Sequence, residues 1–227
     1  MYDVIKKYKK PSKELLEAFS KIEETASIHE VMGKKGALNH RIKPIWPETR
    51  MCGTALTVEC GVGDNIMLHK AISMVQPGDV LVVTCGQYEI AGGMFGGMMG
   101  VSAKSKGAVG LVIEGACRDT IMLKDIDFPA FALDVSIKGT TKCQKGSINH
   151  QIHIGDIAIN PGDIIIGDND GVVVVPLEIA EKVLKDAQAR EAHEAEVARK
   201  ISAGEGIVYN LAGFDKIYEA LGLTEEV

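Results

Sequence analysis

FGGMMGVSAKSKGAVGLVIEGACRD, residues 95–119, is the stretch on which the fold turns. It opens on glycines and passes through a segment of helical composition to a break at Gly107. It then becomes an apolar run, short enough for a buried strand, that ends in Arg118 and Asp119. Side chains adjacent in sequence usually leave the backbone in different directions, so this pair does not exist mainly to satisfy itself. A solvated turn is the plain reading of such a dipeptide. A binding site at the end of a strand is the sharper one, and the surrounding chain has to weigh them.

Working outward, helices and strands alternate. GTALTVEC (53–60) alternates like a strand, and GDNIMLHKAISMV (63–75) opens with a glycine and a capping Asp64 before turning helical. QPGDV is a turn feeding the strand VLVVTCG (80–86). Upstream, Ser12 caps a helix whose apolar face is Leu15, Leu16, Phe19 and Ile22. A second short helix is expected from Ser27, with Glu30 completing a capping box, to a stop at Gly33. RIKPIWPET reads as an extended connection. Downstream, FPAFAL precedes three short β segments, GDIAINPGD, IIIGDND and GVVVVP, punctuated by the turns NPGD and DNDG. The pattern implies a mixed α/β layered domain. With no low-complexity linker and no repeat, residues 1–227 are expected to form one domain.

Nothing breaks a helix from Leu177 to Ala203, about 27 residues or about 40 Å at 1.5 Å per residue. Ile179, Ala180, Val183, Leu184 and Ala187 give its first half an apolar face, and the second half is polar. Such a length overshoots a compact domain, so residues 177–227 are expected to be a helical extension whose far half meets another subunit or lies in solvent. Glu191 and Glu194 fall on a line with Ala187, Ala198 and Ile201. A carboxylate on that seam either has a partner or is simply exposed.

The net charge of −6 argues against a nucleic-acid binder, which needs a basic face. No apolar run approaches the roughly 20 residues of a membrane span. MYDVIKKYKK lacks the apolar centre of a signal peptide, and its lysines are expected to form a solvated arm. Five scattered cysteines with no C-x-x-C imply free thiols and a cytoplasmic protein. Cys117, with no histidine near it in sequence, is better read as a buried residue than as a nucleophile.

Three pieces converge on chemistry: GDN (63–65) and GGMM (96–99), both at helix starts, and Arg118-Asp119 beyond a strand end. Helix N-termini offer free N–H groups to a carboxylate or phosphate, and glycines let a ligand approach. Arg118 can grip a carboxylate in bidentate fashion, and Asp119 can hold a hard divalent cation. These parts suit an anionic oxo-acid bound to a metal. No Gly-Lys-Ser/Thr follows AGGMFGG, which disfavours a P-loop, and no dinucleotide fingerprint is visible.

GVGDNIMLH, the 95–119 stretch, GDIAINPGDIIIGDNDGVVVVP and REAHE…AGE together resemble the 4-hydroxy-4-methyl-2-oxoglutarate / 4-carboxy-4-hydroxy-2-oxoadipate aldolases. These belong to a superfamily that includes the regulator of ribonuclease E activity A. The resemblance spans about residues 12–220, and its most specific parts are the 20 residues between Gly97 and Arg118 and the DNDGVVVVP hairpin. It implies an α/β/β sandwich of the swivelling-domain type, assembled as homotrimers or homohexamers with sites at subunit boundaries. It also implies a class II pyruvate aldolase using Mg²⁺ or Mn²⁺ on a small 2-oxo acid, with oxaloacetate decarboxylase side activity. By position, Asp119 would be the metal ligand and Arg118 would bind the pyruvyl part. The amides of Gly96, Gly97, Met98 and Met99 would bind its carboxylate. Asn65 would position substrate or water, and Glu194 would reach in from a neighbour. His69 is read as structural or as supporting the site from behind. The chain departs from the family where Gly97 replaces a frequent Asp, and again in CGQYEIAGGM (85–94). The alternative is a non-catalytic regulator that binds a ribonuclease or RNA helicase. The retained C-terminal helix favours catalysis, and the methyltransferase label attached to some such sequences has no adenosylmethionine-binding motif here.

Overall fold

The computed structural model describes residues 3–86 and 92–224. The QYEIA part (87–91) of the departing CGQYEIAGGM segment therefore lies outside the described residues. Four parallel strands form the centre: β2 (Met51–Glu59), β3 (Asp79–Thr84), β5 (Gly110–Cys117) and β6 (Ala130–Val135). The short strand β1 (Lys43–Pro44) pairs antiparallel with β6, within the segment expected to be a plain connection. A further short strand, β4 (Gly93–Phe95), pairs with β5 just before the glycines. β7 (Ser147–Ile148) pairs with the far end of β2. β10 (Ile164–Gly167) and β11 (Val172–Val175) extend the sheet antiparallel beyond β2.

The layers follow from which face each strand buries. Leu56, Val58, Leu81, Val83, Leu111 and Ile113 face helices α3 (Ile66–Met74), α4 (Gly97–Ser105) and α5 (Thr120–Asp125). The alternating residues Ala55, Val80, Val82 and Val112 face the other way. They pack on Ile152, Ile154 and Ile159 of a hairpin made by β8 (Ile152–Ile154) and β9 (Ile157–Ile159). This is the expected α/β/β layering. β10 and β11 are buried on both faces. Ile165, Val172 and Val174 join the central core, whereas Ile164, Ile166, Val173 and Val175 pack on α1 (Lys13–Phe19), α2 (Thr25–Val31) and α6 (Ala180–Ser202). A strand buried on both sides must be apolar throughout, which is why IIIG and VVVV show no alternation.

Ser12 caps α1 as expected, its Oγ accepting from Leu15 N at 3.2 Å. The capping box at Ser27 does not form, because α2 begins two residues earlier. The Thr25 N–H and hydroxyl donate to Asp168 at 2.8 and 2.9 Å, and Glu191 accepts the Glu23 and Glu24 amides at 2.7 and 3.3 Å. Remote carboxylates thus replace a local cap, and Glu191 is a structural acceptor instead of a bare surface charge. The lysines Lys6, Lys7 and Lys9 of the N-terminal arm are exposed as expected, but the arm is docked through its backbone, Ile5 N donating to Ile148 O at 3.0 Å, and through Lys10, which pairs with buried Asp79 at 2.5 Å. The long helix is confirmed as α6, entered through a 3₁₀ turn at Leu177–Ile179. Two short helices, α7 (Val208–Leu211) and α8 (Phe214–Ala220), follow it. No helix among the described residues is long and apolar enough to cross a membrane.

Candidate active site at the end of strand β5

The carboxyl ends of parallel strands are where open α/β sheets hold ligands, and Arg118-Asp119 stands there. The Arg118 N–H donates to Phe95 O at 2.8 Å, which fixes the end of β5 against β4. Asp119 then takes φ 55° and ψ 41°, a left-handed conformation. Such a backbone is costly for a residue with a Cβ, though Asp tolerates it better than most. It ends the strand, starts α5 and turns the carboxylate back toward α4. There Asp119 Oδ2 accepts from Gly97 N at 3.0 Å and lies 3.7 Å from Arg118 Nε. Both side chains stay accessible, 42% and 51% exposed, so their mutual attraction is weak and both remain open to a ligand.

The glycines make the slot. A Cβ on Gly96 would fall 2.6 Å from Asp119 Oδ2 and 2.9 Å from Arg118 Nε. One on Gly93 would collide first with the Ser136 backbone carbonyl and would also fall 3.0 Å from Arg118 Cβ. These positions are glycine for room, since the Gly96 φ of −132° is ordinary extended backbone. At Gly97 any side chain would overlap Met122, whose Cγ would lie 2.8 Å from the new Cβ. Sequence reasoning missed Met122, which occupies that volume from α5. Of the amides at the start of α4, Gly97 donates to Asp119, and Met99 and Gly100 both donate to Gly96 O at 3.0 Å. Among the described residues this leaves the Met98 amide open.

Arg118, Asp119, Thr120 and Asp125 line a cleft of about 480 Å³ whose other walls are the apolar Ile121, Met122, Val135 and Ile137. Ile121 is 77% and Ile137 97% exposed, an unusual density of bare aliphatics beside charged groups. Asp119 is the carboxylate best placed for a cation. Among the described residues no group of three His, Cys, Asp or Glu could hold a metal. Mg²⁺ usually takes only one or two carboxylates and keeps waters, so this sparse donor set fits a cation whose shell is filled mainly by substrate and water.

The remaining expected residues lie around this slot or away from it. Asn65 is 3% exposed and caps the start of α3 with its backbone. Its Nδ2 donates to Met94 O at 2.8 Å, tying α3 to β4, while its buried Oδ1 has no partner. It ties α3 to the glycine loop and is not among the residues lining the cleft at Arg118. Asp64 is a staple: despite burial, bonds from the Cys143, Ile66 and Gln144 amides and the Thr141 hydroxyl hold its carboxyl down to about 2. His69 lines a separate cleft between α3 and α4 with Met98 and Met99, and desolvation, then the charge of Lys142, lowers its pKa. Cys117 is fully buried, and burial pushes its thiol up to about 12, which removes it as a nucleophile. All five cysteines are free. Glu194 lies on α6, paired with Arg190 at 2.6 Å, and lines a cleft with His193, Val197 and Phe214 that shares no residue with the Arg118 cleft.

A family model described as RraA-like, Aldolase/RraA, matches residues 25–174. Over 182 residues the chain is 36% identical to a Halalkalibacterium halodurans protein named "Putative 4-hydroxy-4-methyl-2-oxoglutarate aldolase", covering 78% of this chain and 84% of that one. Among solved structures, the RNA-processing inhibitor RraA from Thermus thermophilis is 26% identical, with TM-score 0.60 over 67% of this chain and 92% of that one. Streptomyces coelicolor RraAS2, described as an unusual member of the RNase ES inhibitor RraA family, has TM-score 0.74 over 85% and 99%. At 24% identity it attests the fold alone.

Proposed function

The chain belongs to the RraA-like Aldolase/RraA family, and from that premise we propose that it is a class II pyruvate aldolase. Its substrates are 4-hydroxy-2-oxo diacids such as 4-hydroxy-4-methyl-2-oxoglutarate, with oxaloacetate decarboxylation as a side activity. The single observation that carries this reading is the accessible Arg118-Asp119 pair folded over Gly96 at the end of β5. In the reaction the C3–C4 bond of the substrate breaks, the 4-hydroxyl gives up its proton to become a carbonyl, and the bonding pair moves into a pyruvate enolate. That enolate takes a proton at C3 and leaves as pyruvate. Decarboxylation of oxaloacetate generates the same enolate, so one site serves both.

Arg118 presents a planar fork to the pyruvyl carboxylate and the 2-oxo oxygen, where negative charge grows. The open Met98 amide adds a donor at the N-terminus of α4, where the helix dipole favours an anion. Asp119, oriented by the Gly97 amide, would hold Mg²⁺ or Mn²⁺. When bound, that cation supplies Lewis-acid stabilisation of the developing enolate charge. The bare Ile121, Val135 and Ile137 beside the cleft, and the exposed Val208, Phe214, Ile217 and Leu221 of the C-terminal helices, support a homo-oligomer whose subunits cover them. In that assembly Glu194 of a neighbour would complete the site.

The test is coupled pyruvate release on a panel of 4-hydroxy-2-oxo diacids. Asp119→Ala should lose about 10³-fold while staying folded by circular dichroism, and excess chelator should stop wild-type turnover reversibly. Full turnover in chelator would remove the metal reading. A second reading, a non-catalytic regulator of RNA processing, draws on the likeness to the Thermus inhibitor. It gains if no panel member yields pyruvate at any metal concentration.

A further inference from the structure

The cleft at Arg118 is larger and more apolar than a pyruvyl group requires. Its volume is about 480 Å³, and a pyruvyl unit held by Arg118 and Asp119 would fill only one end of it. The rest is bounded by two edges that the fold fixes on either side of the pair. On one side, Val135 stands opposite Cys117 in the β5–β6 register, and Ser136 N donates to Cys117 O at 2.9 Å. The end of β6 is thereby held one residue from Arg118. Val135 and Ile137, alternate residues of that chain, both line the cleft and are both exposed. On the other side, α5 contributes Ile121, Met122 and Asp125, and Ile121 and Asp125 share a helix face at a spacing of four.

Charge is unevenly divided between these walls. Among the described residues that line the cleft, Arg118 is the only cation, while Asp119 and Asp125 are acidic. Once Arg118 holds the pyruvyl carboxylate, a further carboxylate on the substrate finds no positive partner in the walls. It meets aliphatic side chains and the Asp125 carboxylate. Leaving water for such a surface costs an unpaired charge far more than it costs an alkyl group. Each methylene that leaves water there gains up to about 4-fold in affinity.

We propose that Ile121, Met122, Val135 and Ile137 form a subsite for the alkyl group at C4 of the substrate. The cleft then selects 4-hydroxy-2-oxo acids with an aliphatic C4 substituent over those with an additional carboxylate. This inference rests on the pyruvyl clamp proposed above and names what decides choice at the other end of the molecule. For 4-hydroxy-4-methyl-2-oxoglutarate it assigns the methyl group to the aliphatic wall and the distal carboxylate to the open mouth of the cleft. A carboxymethyl group in place of that methyl, as in 4-carboxy-4-hydroxy-2-oxoadipate, is disfavoured by the same wall.

The experiment is calorimetric titration of the full chain in excess Mg²⁺ with 2-oxo acids that lack the 4-hydroxyl and so cannot be cleaved. 5-Methyl-2-oxohexanoate matches 2-oxoglutarate atom for atom, with methyl groups in place of the distal carboxylate oxygens. It is expected to bind about 10-fold more tightly or better. From 2-oxobutanoate to 2-oxohexanoate, affinity is expected to rise about 2- to 4-fold per methylene. Ile137→Lys places an ammonium group in the wall and should shift the preference toward 2-oxoglutarate, and Ile121→Ser should flatten the chain-length series. Both residues are largely exposed, and unchanged melting temperatures would show that the fold is intact. Binding of both isosteres with equal affinity, or a flat series in the wild type, would leave the clamp standing and overturn the subsite. A neighbouring copy filling the aliphatic edge in place of the substrate would give that result. An Ile137→Lys variant with the wild-type preference would also overturn it. Absence of binding by every 2-oxo acid would overturn clamp and subsite together.

Discussion

Gly96→Ala tests the slot with the smallest possible perturbation, one methyl group. The backbone there is extended, with φ −132° and ψ 178°, so alanine meets no conformational penalty and any effect is steric. The new Cβ would lie 2.6 Å from Asp119 Oδ2 and 2.9 Å from Arg118 Nε. Ordinary contact begins about 0.8 Å farther out for the nearer atom. The carboxylate is the atom that moves, because it is half exposed and Gly96 is fixed between β4 and α4. Relief comes from rotating Asp119 away, which also stretches its 3.0 Å bond from Gly97 N. Misplacing a catalytic group by about 1 Å can cost about 10²-fold. A shift somewhat smaller than this predicts a fall in kcat/KM of about 10- to 10²-fold, or about 1.4–2.7 kcal/mol of transition-state stabilisation. Stability should change by less than about 1 kcal/mol, since the crowded side chains can yield into solvent. The assays are pyruvate release with varied substrate and urea denaturation. A variant with wild-type kcat/KM and wild-type stability would refute the reasoning that this pair is gathered over Gly96 to act.

Arg118→Lys keeps the charge and loses the planar fork, so pyruvate release should fall about 10²-fold and inhibition by oxalate should weaken; wild-type values for both would exclude Arg118 as the clamp. Gly97→Asp should destabilise the chain by about 1–3 kcal/mol through overlap with Met122, and adding Met122→Ala should recover much of that loss in urea melts. If Gly97→Asp alone is as stable as wild type, Met122 does not guard that volume. Mixing Asp119→Ala with Glu194→Ala subunits should restore part of the activity if Glu194 completes a neighbour's site. Confirmed subunit exchange without recovery would confine Glu194 to its ion pair with Arg190.

How much of this was legible in the sequence depended on how far each residue's partner lies along the chain. The helix at Ser12 was readable because its cap bond spans three residues, and IIIG and VVVV declared themselves as strands buried on both faces. The start of α2 was not readable, because its cap is Asp168, 143 residues away. The exposed Lys6, Lys7 and Lys9 of the arm were legible from composition, whereas its docking was not, because it rests on Val4, Ile5 and the buried Asp79 far along the chain.

The site divides in the same way. The spacing from Gly97 to Arg118 points to a binding end of a strand, but an extended backbone would send Arg118 and Asp119 to opposite faces of the sheet. What makes adjacent opposite charges useful is the left-handed turn at Asp119. It ends β5 within one residue and swings the second side chain back beside the first. The turn is held by tertiary partners, the Phe95 carbonyl on Arg118 and the Gly97 amide on Asp119. Glycines at 93 and 96 leave the space into which both side chains fold. The dipeptide supplies the charges, and a loop more than 20 residues upstream decides that they lie side by side over Gly96.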